Sequence, residues 1–182
     1  MATTRPTTVQ ELLDYWPGNI PFKGSLVSED GTCMCAQGQA LHFLDGMSAE
    51  QLRDTSQAQA DKRVAEIFGI SVAHSALLRR INDSQPGAPT NVITNPEQFL
   101  GDQFATVLAF WRHLDRMTTA DWVAVGGVAW AAAGAAAGKS DEIQRAEIMR
   151  KNEQAFFFLP LFGFADPEAV LAADKAFNGE KS

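Results

Sequence analysis

A thiol, an amide and an imidazole lie at helical spacing in the first quarter of this 182-residue chain. Cys35, Gln39 and His42 fall along one side of a projected helix, beside an apolar side formed by Ala36, Ala40, Phe43 and Leu44. Near the first turn of that helix, the helix dipole would lower the pKa of the Cys35 thiol. These three residues are the candidates for a small cysteine-dependent enzyme.

The spacing of the three residues argues against a simple catalytic pair. Cys35 and His42 are seven residues apart in the sequence, which is about 10 Å along a helix axis. A catalytic Cys–His pair needs a contact of roughly 3 Å, so a base would have to come from elsewhere in the chain. The alternative is that Cys35 is a small structural residue where the helix begins. We expect this structural role and no catalytic residues.

Metal and cofactor sites are not expected either. Cys33, Cys35 and His42 supply three potential ligands, but a paired Cys-x-x-Cys or His-x-x-x-His element is missing. The sequence also has no Walker loop, no Gly-x-Ser-x-Gly, no His-Glu-x-x-His and no dinucleotide fingerprint. We therefore predict no metal and no cofactor.

Two further polar groups favour structural interpretations. His74 lies in the middle of an apolar helical stripe and is predicted to be a hydrogen-bonded core histidine, whereas His113 falls outside the stripe of its helix and is predicted to face solvent. Arg79 and Arg80 precede an Asn-Asp-Ser sequence. Basic residues favour the C-terminal end of a helix, and Asn-Asp-Ser is common in turns.

The stretch WVAVGGVAWAAAGAAAG, Trp122–Gly138, predicts a central helix rich in small residues. It is short for a membrane span, which needs about 20 apolar residues, and Asp121 and Lys139 bracket it, so no membrane contact is expected. Small residues four apart let a second backbone approach closely, from the same chain or from a second copy. The predicted interaction residues are Gly127, Ala131, Gly134 and Gly138.

Helix signals dominate the first half of the chain. Thr8 with Glu11 and Ser48 with Gln51 form two capping boxes, the second opening a helix toward Ala60 and on to Phe68. Other helices are predicted from near Cys35 to Leu44 and from Ser71 to Ile81. The loop before Cys35 favours a brief strand at Ser25–Val27. Residues 82–95 are predicted to form a surface loop that contains a β-like run, Asn91–Thr94.

The second half predicts longer helices. One begins at Asn95-Pro96-Glu97 and runs to Met117, with an apolar stripe made of Leu100, Phe104, Val107, Trp111 and Leu114. Thr118-Thr119 caps the central helix, and Ser140 caps another helix that ends before Pro160. Asp166 opens a last short helix after the aromatic sequence FFFLPLFGF. The fold class is mainly α: a compact multi-helix domain with a small-residue-rich central helix and at most a short β element.

Composition sets further bounds. The 46% hydrophobic content predicts one domain over 1–182, with residues 1–8 and 179–182 flexible. The net charge of −7 is spread along the chain, and such a surface repels phosphate backbones, so nucleic acid is not an expected partner. Two closely spaced cysteines suggest a reducing compartment or no redox constraint at all. The sequence MATTRPTT lacks an apolar signal segment, so secretion is not expected.

Two segments resemble known protein families. DGTCMCAQGQAL, with RINDS further on, is similar to small uncharacterised bacterial and phage domains that carry a Cys-Ala-x-Gly-x-Ala-Leu element and a later Asn-Asp. The second half resembles uncharacterised tailed-phage proteins in which an Ala/Trp-rich helix precedes a segment like EIQRAEIMRKNEQAFFFLPLFGFADPEAV. The resemblance extends from about Gly31 to Val170. It implies a phage or prophage origin, in the host cytoplasm or the virion, and implies no catalytic residues.

The expected function is therefore that of a non-enzymatic, phage-derived accessory protein. It would act by binding a protein partner or a second copy of itself, through the small-residue helix and the aromatic segment FFFLPLFGF. One alternative is a structural component of the virion, for which an Ala-rich packing helix would also serve. The other is the small cysteine-dependent enzyme with Cys35, Gln39 and His42.

Overall fold

The computed structural model describes residues 5–126, 156 and 159–179. The chain divides into two compact units, Met1–Asp115 (unit 1) and Arg116–Ser182 (unit 2), each described here by itself. The fold is all-α, which confirms the predicted fold class. The division into units does not test the prediction of a single domain, which stays a prediction.

Unit 1 is built from short helices and one 3₁₀ turn, Trp16–Gly18. The first helix is preceded by residues predicted to be flexible, yet Pro6 is buried and Arg5 donates a 2.6 Å hydrogen bond to the His42 carbonyl. The helices are α1 (Val9–Tyr15), α2 (Ala36–Leu44), α3 (Ala49–Asp54), α4 (Gln57–Phe68), α5 (Val72–Ser84), α6 (Thr90–Thr94), α7 (Glu97–Leu100) and α8 (Phe104–Arg116), whose last residue belongs to unit 2.

Capping residues set where these helices begin. Both predicted capping boxes are present, Thr8 with Glu11 and Ser48 with Gln51. A third box, Ser56 with Gln59, opens α4. The predicted helix from Ser48 toward Phe68 is therefore two helices, because Thr55 between them has extended backbone geometry and Ser56 caps a new N-terminus.

The core of unit 1 is centred on α2. Ala36, Ala40 and Leu41 have no exposed surface, and α4 and α5 both pack against α2. On another side of α2, Gly38 lets the loop before the helix approach closely, because an added Cβ would lie 1.9 Å from the Leu26 carbonyl oxygen. The Cys-Ala-x-Gly-x-Ala-Leu element is thus a packing element: its small residues let the loop before α2 lie directly on the helix.

Two β predictions have different outcomes. Near the predicted strand Ser25–Val27, the structure has a single antiparallel bridge between Val27 and Met34. The prediction of a β-like run at Asn91–Thr94 is wrong, because these residues lie within helix α6. Valine, isoleucine and threonine favour strands mainly through packing against strand neighbours. Here no strand lies beside them among the described residues, and Val92 instead enters the helical core with no exposed surface.

The predicted helix from Asn95 to Met117 is also wrong as one element. Gly101, with a φ of 76°, follows α7, and α8 begins at Phe104. A φ in this left-handed region ends an α-helix and is most readily adopted by glycine. The predicted apolar stripe is only partly buried. The buried residues of α8 lie on a neighbouring side: Thr106, Ala109 and Phe110.

Unit 2 is described over three short stretches. Residues 119–126 are helical, and the Thr118 hydroxyl accepts from the Asp121 amide at 3.3 Å, which supports the predicted cap. A 3₁₀ turn, Leu159–Phe162, and a C-terminal helix, Pro167–Gly179, follow. Asp166 caps that helix by accepting from the Ala169 amide at 2.9 Å.

Several predictions fall outside the described residues. They are the remainder of the central helix beyond Gly126, the helix predicted from Ser140, and the four interaction residues Gly127, Ala131, Gly134 and Gly138. Within the described ranges, no helix combines the length and apolar character needed to cross a membrane.

Candidate functional sites

Cys35 is the N-cap of α2 and is buried, with 1% of its surface exposed. Its Sγ accepts a hydrogen bond from the Gly38 amide at 3.4 Å. Burial raises the pKa of the Cys35 thiol above its usual value, whereas its position near the helix N-terminus predicted a lowered pKa. Desolvation disfavours the thiolate, and here it outweighs the amide contact. The thiol is thus a structural cap in the core.

Gln39 and His42 each hold a different segment against α2. The Gln39 Oε1 accepts from the Trp16 indole at 3.1 Å, and its Nε2 donates to the Met34 carbonyl at 3.4 Å. The His42 Nδ1 lies 2.6 Å from the Met47 carbonyl oxygen. The three candidate residues are therefore not brought together: each side chain is engaged by its own partner.

The potential metal ligands are not assembled either. Cys33 is exposed in the loop before α2, while Cys35 is buried. Over the described part of the chain, no three His, Cys, Asp or Glu side chains are grouped so that they could hold a metal ion.

A buried polar network links α2, α4 and α5. The Gln37 Nε2 donates to the Asp61 Oδ1 at 2.7 Å and to the Ser75 Oγ at 3.0 Å. Arg79 donates two hydrogen bonds to the same carboxylate, from Nε at 3.3 Å and from Nη2 at 3.1 Å. These bonds raise the pKa of Arg79 above its usual value, so its guanidinium carries a positive charge. A paired buried charge of this kind fixes how the three helices meet.

One atom of this network is unsatisfied. The Gln37 Oε1 is buried and has no hydrogen-bond partner, although its amide nitrogen is fully engaged. The sequence pattern predicts a helix end at Arg79 and contains no motif that predicts the roles of Gln37, Asp61 and Ser75. The available signal was polar residues at core-facing positions: Asp61 lies beside Ala60, and Ser75 lies three residues before the buried Leu78.

Asn82 and Asp83 hold the loop before α2 against the end of α5. The Asn82 Nδ2 donates to the Phe22 carbonyl at 2.8 Å, and the Asp83 Oδ1 accepts from the Gly24 amide at 2.9 Å. Both residues lie within α5, so the turn predicted at Asn-Asp-Ser is wrong. Asn82 and Asp83 therefore bond to the same loop that packs against Gly38 of the Cys-Ala-x-Gly-x-Ala-Leu element.

A cavity of about 270 Å³ opens beside this loop. One wall is the loop itself, residues 24–27, and the other is formed by the end of α3 and the start of α4, with Arg79 contributing from α5. Two of its lining residues, Arg53 and Arg79, are cationic. Among the described residues that line it, none is acidic. No sequence motif predicts this cavity, because its walls come from separate elements: the loop before α2, the end of α3, the start of α4, and α5.

Most of the exposed large apolar side chains among the described residues lie in unit 2. Among the described residues, seven large apolar side chains are exposed, and five of them lie in unit 2. Val123 is 70% exposed and Trp122 46% exposed, with the Trp122 ring edge-on to Phe162 at 6.3 Å. The other three are Leu161, Leu171 and Phe177. Arg116 lies over the Phe177 ring at 4.1 Å and pairs with Asp174 at 3.2 Å.

Comparison of the chain with protein-family models, with curated proteins and with solved structures gave no match.

Proposed function

We propose that this is a non-enzymatic, phage-derived accessory protein that acts by binding a protein, and that unit 2 carries the binding surface. The observation that carries the proposal is the set of five exposed apolar side chains in unit 2, referred to below as the apolar surface: Trp122, Val123, Leu161, Leu171 and Phe177. Scattered exposed apolar residues are normal, but a concentration of them typifies an interaction surface.

The composition of the apolar surface suits a protein partner. Tryptophan and arginine are the residues that most often dominate binding energy in interfaces, and burial of apolar area contributes about 25 cal/mol per Å². Trp122 contacts Phe162, the chain neighbour of Leu161, so two of the exposed elements are adjacent. Arg116, stacked on Phe177 and paired with Asp174, would add guanidinium donors beside this side chain.

A second copy of the chain is the partner we propose first. Residues 119–126 lead directly into the small-residue sequence with Gly127, Ala131, Gly134 and Gly138, whose spacing predicts close approach of another backbone. The resemblance to tailed-phage proteins supports a phage or prophage origin, with the host cytoplasm or the virion as the location. The buried, protonated Cys35 gives no support to cysteine-dependent catalysis.

The test is the concentration dependence of molar mass, measured by sedimentation velocity. We expect the wild-type chain to shift from monomer to dimer between about 1 and 100 µM, because association is driven by mass action. Replacing Trp122 and Val123 together by serine should shift the midpoint by at least about tenfold, or about 1.4 kcal/mol. The melting temperature of the monomer, measured at about 1 µM or below, should change little.

The matched control is Ile20→Ser, which removes an apolar side chain that is 59% exposed in unit 1. It should leave association unchanged. A chain that is monomeric throughout the range would contradict self-association. Photo-crosslinking from position 123 in host extracts would then test the remaining form of the proposal, a different protein partner.

A further inference from the structure

The cavity of unit 1 combines an apolar floor with two cationic side chains. Its apolar lining is Leu26, Val27 and Leu52, which are at most 8% exposed. Arg53, from the last turn of α3, and Arg79, from α5, supply the charge. Ligand sites are concave, mostly apolar and carry a few convergent polar groups, and this cavity has that composition in a chain whose net charge is −7.

The charges of the two arginines are balanced differently. The guanidinium of Arg79 is paired with the Asp61 carboxylate through two of its five N–H donors. The guanidinium of Arg53 donates to a neutral group, the Glu29 carbonyl, at 2.9 Å. The nearby Asp30 carboxylate accepts from Ser28 and Thr32. The Asp83 carboxylate, which accepts from the Gly24 amide, also acts electrostatically on Arg79. The lining thus offers several remaining N–H donors on two guanidinium groups and no acidic side chain among its described residues.

The walls of the cavity are held in place before any ligand arrives. Asp61 and Gln37 fix the orientation of the Arg79 guanidinium. Asp83 holds the loop wall at Gly24, and the close contact of Leu26 with Gly38 holds it at its centre. A preorganised site binds more tightly, because less conformational freedom is lost on binding. The N-terminus of α4 also lies at the cavity through Gln57, and its dipole favours a negative group there.

We propose that this cavity binds a small amphipathic carboxylate. Its acid group would accept hydrogen bonds from Arg53 and from the N–H groups of Arg79 that Asp61 leaves available, and its hydrocarbon part would contact Leu26, Val27 and Leu52. Because the Asp61 and Asp83 carboxylates both act on Arg79, a singly charged acid is matched better here than a dianionic phosphate ester. The volume of about 270 Å³ suits a ligand of a few carbon atoms. This inference concerns unit 1 and is independent of the proposed association through unit 2.

The test uses sodium hexanoate as the probe, with binding followed by NMR chemical shifts of the full chain. A ligand this small should bind with a dissociation constant on the order of 1 mM, and the shifts should be largest for the backbone amides of residues 24–27 and 52–57. The uncharged 1-hexanol and the dianionic hexyl phosphate should each bind at least about tenfold more weakly, since each loses the charge match.

Arg53→Gln should weaken hexanoate binding at least about tenfold, whereas the control Arg63→Gln, at an exposed arginine that does not line the cavity, should not. Both arginines are exposed, so both variants are expected to fold, which their melting temperatures would verify. Ser25→Phe, at an exposed position of the loop wall, should also abolish binding by filling the cavity.

Equal binding of hexanoate and 1-hexanol would overturn the proposal, as would wild-type affinity in Arg53→Gln. Saturable binding of hexyl phosphate in preference to hexanoate would also overturn the proposal and would indicate a phosphate ligand instead. No saturable shift up to about 20 mM hexanoate would also overturn it, because even a weak fragment-sized ligand is detected at that concentration.

Discussion

Most large apolar side chains of unit 1 pack in a core around α2. In the described part of unit 2, by contrast, several large apolar side chains face solvent. Trp16 in unit 1 has no exposed surface and donates its indole N–H to Gln39. Trp122 in unit 2 is 46% exposed. The difference fits the proposed division of roles, in which unit 1 supplies a tightly packed core with a preorganised cavity and unit 2 would present apolar surface for association. Substitutions in unit 1 should therefore change stability, and substitutions on the apolar surface should change assembly.

The largest expected effect is that of Asp61→Ala. It leaves the Arg79 charge and the Gln37 amide without their common partner inside unit 1, and breaking a buried pair in this way typically costs about 3–5 kcal/mol. Urea unfolding monitored by circular dichroism measures the loss. The control is Asp45→Ala, which removes the exposed pair with Arg63 and should cost about 0–1 kcal/mol. Equal losses in the two variants would contradict the assigned role of the buried network.

A pair of glycine variants compares the two units directly. Gly38→Ala places a Cβ 1.9 Å from a backbone oxygen, which cannot move aside easily. We expect a loss at or above the upper end of the usual overpacking range of about 1–3 kcal/mol. Gly126→Ala in unit 2 meets nothing within 4 Å and should be neutral or stabilising by up to about 1 kcal/mol, from helix propensity. Chemical denaturation of both variants provides the measurement, and similar losses would remove the contrast between the units.

The smallest expected effect is a pH dependence confined to unit 1. Burial lowers the pKa of His74, and the charge of Arg112 adds to this lowering; the His74 Nε2 lies 2.6 Å from the Val92 carbonyl oxygen. The unfolded chain therefore binds a proton at higher pH than the folded chain. The contribution of neutral His74 to the free energy of unfolding is fully present above the unfolded pKa of about 6.5. It falls as the pH drops below that value, by at most about 1.4 kcal/mol per pH unit.

Urea unfolding at pH 7.5 and at pH 5.5, in wild type and in His74→Gln, measures this contribution. The wild type should lose more stability than the variant over this interval. All three histidines precede residue 116, so fluorescence of Trp16 and Trp111 should follow the change. An identical pH dependence in both proteins would show that His74 is not the group responsible.

Local chemistry explains which predictions were confirmed. The caps at Thr8, Ser48 and Ser71 were recognised in the sequence because a cap involves only a side chain and the amide three residues later. The buried His74 was recognised because the apolar residues around it share its helix. The break at Gly101 was missed, since glycine within a helical pattern is tolerated in some helices and ends others.

By itself, the sequence determined the all-α class and the places where most helices begin, since propensity and capping act over a few residues. Only the tertiary structure decided the state of Cys35, the burial of Val92 in α6, and the partners of Gln37, Asp61 and Arg79. Each of these depends on residues brought together from distant segments. Desolvation and hydrogen bonding in the core then outweigh the local preferences that the sequence displays.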